Sequence, residues 1–168
     1  MTISMYTAST PRLANTLKNL SAILTKAEAH AEARKIDPTV LLAARLYPDM
    51  LPLTRQVQIA CDTAKGAVAR LAGLDVPKHE DTEKTFAELQ QRIAKVVAFI
   101  ESVSPQQIDG SEERKITLTL RGQDTVFSGL QYLTGFVLPN FYFHAVTAYD
   151  ILRHNGVEIG KRDFLGNP

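Results

Sequence analysis

Asn140 and His144 stand four residues apart inside the most aromatic stretch of the chain. Of its 12 aromatic residues, seven (Phe127, Tyr132, Phe136, Phe141, Tyr142, Phe143 and Tyr149) fall between positions 127 and 149. Side chains four apart on a helix are neighbours on one strip. Two His at that spacing would grip a metal, but Asn140 offers a neutral amide, a poor ligand for zinc or nickel. The other histidines, His30, His79 and His154, are remote in sequence, and His154 points about 80° away from His144 around the helix. The chain has no His-Glu-x-x-His motif, no cysteine pair and no glycine-rich phosphate loop. What remains is acid–base chemistry, with His144 as the catalytic residue and a carboxylate such as Asp62 holding its tautomer. The structural alternative is a His144 bonded to a backbone carbonyl or a tyrosine hydroxyl, because buried polar groups need partners in any case.

An opposing polar lining is available on the helix predicted after Asp49. Arg55, Gln58 and Asp62 recur at spacings of three and four, so they share one side of it. They could face a cleft together with Asn140, His144 and Tyr149. They could equally be ion pairs, Arg55 with Asp62 or Asp62 with Lys65. Cys61, the lone cysteine, falls on the apolar stripe of the same helix, where a thiol is inert packing.

The elements that must carry these residues are mostly helical. Thr10-Pro11 reads as cap and first helical position, followed by a stripe of Leu13, Leu17, Leu20 and Leu24. Asp37-Pro38 opens a short helix through Leu46, which Pro48 ends. Asp49 is placed to cap the next, with Val57, Ala60, Cys61, Ala64, Val68 and Leu71 buried and Gly73 as the stop. After a polar linker over 75–81, Thr85 and Glu88 have capping-box spacing. They precede a regular stripe from Phe86 to Val103, whose far side (Glu88, Gln91, Arg92, Lys95) reads as solvated. Period-two alternation of Ile116, Leu118 and Leu120 with Thr117, Thr119 and Arg121 marks a strand. A turn at 122–124 would return the chain through 125–127 as a hairpin. A short helix or turn over 128–137 leads to the last helix, which starts at Pro139 and stops at Gly156 with Val157 against Leu152. Ile159, Phe164 and Leu165 would pin the tail.

The chain has 168 residues, a single-domain length. Its 19 basic and 18 acidic residues give a net charge of +1, no electrostatic footprint for nucleic acid or anionic lipid. The first residues lack the pattern of a signal peptide and no run is long enough to cross a bilayer, so a cytoplasmic protein is expected.

Arg45-Leu-Tyr-Pro-Asp-Met50, Leu53-Thr-Arg-Gln-Val57, Thr85-Phe-Ala-Glu-Leu89, Pro139 to Arg153 and Gly160-Lys-Arg-Asp-Phe-Leu-Gly166 together resemble the DinB-like (YfiT-like) four-helix-bundle superfamily, and within it the branch known as DUF1993. The resemblance implies an all-α fold over residues 1–168, a four-helix bundle with a short extra helix and a small β-hairpin before the last helix. It also implies a homodimer, for which the apolar Phe136–Phe143 region would be a contact surface. Metal-binding relatives use three His, one from the second long helix and two from the last; some are thiol-dependent transferases. His144 matches the last ligand position, but Asn140 stands near the other, and the helix of 49–72 has no His at all. Two of three ligands are absent, so no metal or other cofactor is expected. The expectation is a bundle that binds an unidentified small molecule beside His144; the alternative is a His- or metal-dependent transferase or hydrolase.

Overall fold

A computed structural model describes residues 3–166; Met1, Thr2, Asn167 and Pro168, which include both ends of the expected single domain, lie outside the described residues. Four long helices carry the fold: α2 (Thr10–Arg34), α4 (Leu53–Ala72), α5 (Phe86–Glu101) and α8 (Leu138–His154). Short helices α1 (Met5–Ala8), α3 (Pro38–Ala43), α6 (Pro105–Ile108), α7 (Gly129–Gln131) and α9 (Lys161–Leu165) close its ends and loops. Helix α4 packs against α8 on one side and α5 on the other, and α2 completes the ring against α5 and α8. The stripes read from periodicity are the core: Leu13, Leu17, Leu20, Val57, Cys61, Val68, Leu89, Ile93, Phe141 and Leu152 are all buried.

The punctuation is largely as the residues dictate. Asp37 caps α3 through Thr39, Thr85 and Glu88 form a complete capping box on α5, and Gly73 ends α4 in the left-handed region at φ 72°. Gly156 lies at φ 89°, with Val157 N–H returning to the Leu152 carbonyl.

Several starts and stops differ from expectation. Helix α2 follows Ser9 rather than Thr10, because α1 already occupies the preceding turn and Thr10 is buried inside the helix. Helix α3 ends at Ala43, well before Pro48. Helix α4 begins after Pro52, not Asp49, because the intervening loop is held by Arg45, which donates to the Met50 carbonyl at 3.0 Å. The hairpin is β1 (Ile116–Leu120) with β2 (Gln123–Phe127), antiparallel with Ile116 opposite Phe127. Its turn is only two residues, Arg121 and Gly122, both at positive φ (51° and 79°). That geometry matches the twist of the paired strands, so β2 starts two residues earlier than the turn chemistry suggested. Residues Tyr132–Val137 form a π-helical stretch that runs straight into α8. It packs Tyr132 and Phe136 parallel, with ring centroids 6.0 Å apart.

Candidate functional site

His144 sits where α8 meets α4. Phe141, Ala145, Ala148 and Leu152 fill the core side of α8, and the ring of His144, one step round, is half-buried. Its Nδ1 lies 2.7 Å from Gln56 Oε1. The Gln56 amide is oriented by its other end, because Nε2 donates to the Leu51 carbonyl at 3.0 Å. The oxygen is therefore the atom turned to the ring. An amide oxygen only accepts, so Nδ1 must carry the proton and Nε2 keeps a lone pair. That Nε2 has no hydrogen-bond partner among the described residues and is not sealed from water. Burial holds the ring's pKa below the ordinary histidine value. The group that fixes the tautomer is a neutral amide, which does nothing to raise it. The result is a neutral imidazole with one basic nitrogen facing outward. Asn140, a turn earlier, is tied to α4 at a different level, donating Nδ2 to Thr63 Oγ1 at 3.0 Å.

Arg55, Gln58 and Asp62 do not join this group. At 100° per residue they lie roughly 100–160° round α4 from Gln56, on the side that meets α5 and the segment 79–84. Arg55 binds Asp81, and also donates to Gln58 Oε1 at 2.7 Å, while Gln58 Nε2 donates to Glu83 at 2.8 Å. Asp62 accepts from Lys65 Nζ at 2.8 Å and from Arg92 Nη2 at 2.9 Å. The hub is Arg92, whose side chain is 1% exposed. Nη1 reaches Glu83 (2.9 Å) and the Glu80 carbonyl (3.1 Å), and Nη2 reaches Asp62 and Asp81 (both 2.9 Å). Burial alone would push the guanidinium's pKa down, but the bond to Glu83 and the charges of Asp62 and Glu83 carry it up. Burial would raise the carboxyls of Glu83 and Asp81, but at Glu83 the bonds from Arg92 and Gln58, and at Asp81 the bond and charge of Arg55 followed by those of Arg92, outweigh it and hold both below the usual range. Cys61 lies fully buried behind the cluster, its thiol pushed up to about 12 by burial. Two cavities of about 330 Å³ flank the segment. One, against α5, is lined by Lys78, His79, Arg92 and Lys95 among others; the second, against α3, by Thr39, Leu42, Arg55 and Gln58.

The family described as a domain of unknown function (DUF1993) matches residues 5–165. The chain belongs to the DUF1993 family. Its structure is similar to the crystal structure of a DinB family member protein from Shewanella denitrificans, with a TM-score of 0.89 and 48% sequence identity over 97% of this chain and 92% of that one. No curated protein matches the chain.

In this DUF1993 bundle the positions facing the His144 seam do not suit a resident metal. Gln56 is the α4 side chain that meets His144, and Asn140 is the α8 one a turn away. Gln56 commits both ends of its amide to protein partners and Asn140 its nitrogen, and neutral amide oxygens are weak ligands beside imidazole or carboxylate. Among the described residues no three His, Cys, Asp or Glu lie together as a metal set.

The expected six-residue cleft is thus two places: Asn140 and His144 on one side of α4, and Arg55, Gln58 and Asp62 on the other. Tyr149 belongs to neither, packing edge-on against Phe164 (5.9 Å between centroids) where the tail returns. Sequence reasoning missed Gln56 and Thr63, which share α4 with the residues it chose but face α8. It also placed Arg92 on a solvated face, whereas Arg92 is the most enclosed charge of the cluster. The signal that could have found it is the acid-rich run Glu80-Asp-Thr-Glu83, a ready counter-charge for a cation at the edge of an apolar stripe.

Proposed function

We propose that this DUF1993 chain is a cytoplasmic, homodimeric bundle that binds a small molecule through His144 without a resident metal. The observation that supports it most is the relay from the Leu51 carbonyl through Gln56 to His144 Nδ1. It spends two hydrogen bonds to leave one unprotonated nitrogen pointing outward. A ligand offering a hydroxyl, thiol or amide proton to Nε2 completes the site. The same lone pair favours a second reading, a transferase or hydrolase in which neutral His144 takes the proton of an attacking hydroxyl or thiol, since a general base must be unprotonated at working pH.

Long-range ¹⁵N spectra of the His144 ring should show the Nδ1–H tautomer in wild type and a tautomer mixture in Gln56→Ala. A thermal-shift screen of small alcohols, thiols and amides should give hits in wild type that vanish in His144→Ala. Hits indifferent to that substitution would sink the reading. Stoichiometric zinc or nickel in untagged protein, lost in His144→Ala, would overturn its metal-free part.

A further inference from the structure

A further cavity, of about 590 Å³, opens where α9 lies across the first half of α2, and no residue of α4 lines it. That size is ordinary for a small-molecule pocket. Helix α2 sets its frame. Asn15 and Asn19 donate to the carbonyls of Leu165 (3.4 Å) and Phe164 (3.0 Å), and Lys26 pairs with Asp163 at 2.6 Å. These ties hold α9 in place, so that Arg12 of α2 and Arg162 of α9 line one space.

The walls are apolar and braced. Tyr142 stands edge-on to the buried Phe141 (5.3 Å between centroids), and Phe164 edge-on to Tyr149 (5.9 Å). Each ring lining the cavity is thus steadied by a second ring, and Pro11 extends the same surface. The charges, by contrast, are all of one sign. No aspartate or glutamate among the described residues lines the cavity. Arg12 and Arg162 are exposed and make no ion pair among the described residues. The acid next to Arg162, Asp163, is committed to Lys26 and to the Gly160 N–H. Thr16, only 7% exposed, also borders the space, and its hydroxyl is not sealed from water.

A guanidinium is a weakly hydrated fork that grips an oxyanion through paired N–H groups, and aromatic walls favour an aromatic guest. A neutral guest would leave both forks to water, and a bare anion would leave the walls wet. We propose that this cavity binds an organic anion with an aromatic body, its oxyanion held by Arg12 and Arg162 and its ring laid against Tyr142 and Phe164. Carboxylate and phosphate heads share that chemistry. Tyr142 precedes His144 by two positions, about 200° round α8, so the two sites face different ways.

Calorimetric titration of the full chain with benzoate and with phenyl phosphate should show saturable binding, and the tighter of the two names the head group. Benzyl alcohol, the body alone, should bind about tenfold more weakly or worse, as should acetate and inorganic phosphate, the heads alone. Arg12→Gln and Arg162→Gln should each weaken the tighter probe roughly two- to fivefold, as loss of one exposed charge contact does. Tyr142→Leu should weaken it too, and His144→Ala should leave it unchanged. Benzyl alcohol binding as tightly as the anions overturns the proposal, as does an affinity unmoved when both arginines are replaced. Loss of binding in His144→Ala would move the guest to the other site and overturn it equally, and so would the absence of saturable binding by either anion.

Discussion

His144 and His79 share a property that their positions in sequence do not suggest: both are held below the ordinary histidine pKa, first of all by burial. For His79 the charges of Lys65 and Arg92 add to the effect, with Asp62 opposing. In the unfolded chain both rings take up protons as pH falls past about 6.5, while the folded chain keeps them neutral longer. Unfolding then binds protons, and stability must fall as pH drops from about 7 toward the lowered values. Asp81 and Glu83 have lowered values too, so their contribution is lost only in a separate, more acidic window. Urea melts at pH 7.5, 6.5 and 5.5 should show this upper acid limb in wild type and a shallower one in His144→Gln. Equal slopes would mean that the folded state protonates His144 as readily as the unfolded chain does.

At the scale of elements, two glycines in adjoining helical turns invite opposite outcomes. Gly129 opens α7 against the loop after α6, where the Leu130 N–H bonds the Glu112 carbonyl at 2.9 Å. A Cβ at position 129 would run into the carbonyl oxygen of Ser111, a backbone atom with no room to yield. Gly135, in the π-helical stretch, has open space where its Cβ would go. Gly129→Ala should therefore destabilise by about 1–3 kcal/mol, as overpacking does. Gly135→Ala should be neutral or stabilise by up to about 1 kcal/mol through helix propensity. Chemical denaturation of the two variants decides it; equal effects would mean that α7 is loosely docked.

The contrast also shows what was legible beforehand. The four long helices, the hairpin, the Thr85 box and the Gly73 and Gly156 stops follow from local periodicity and caps, which the chain states residue by residue. The burial of Arg92 does not, because a segment some ten residues away folds over it, and a helical wheel holds no record of that. Nor does the split of the α4 polar residues between α5 and α8. Gln56 and Gln58 differ by two positions, and only the packing of the neighbours decides which one meets the histidine.

Considered as a whole molecule, the bundle leaves Phe143 57% exposed, with Val146 and Leu130 at 39% and 47%. The rest of the Phe136–Phe143 region is less available than its composition suggested: Phe141 is fully buried, and Phe136 is packed against Phe127 and Tyr132. No helix among the described residues is long and apolar enough to cross a membrane. The proposed homodimer should use Phe143 as its anchor, so Phe143→Glu should give a monomer in sedimentation velocity with unchanged helical circular dichroism. A monomeric wild type would dispose of that proposal.

The same enclosure gives the molecule an internal timer. Cys61 is the chain's sole thiol, wholly inside the core, and with its pKa at about 12 almost none of it is thiolate at neutral pH. An alkylating reagent can reach it only when α4 parts from its neighbours. The rate of labelling therefore counts openings of the bundle, and any ligand that closes either side of α4 should slow that count without touching the sulfur.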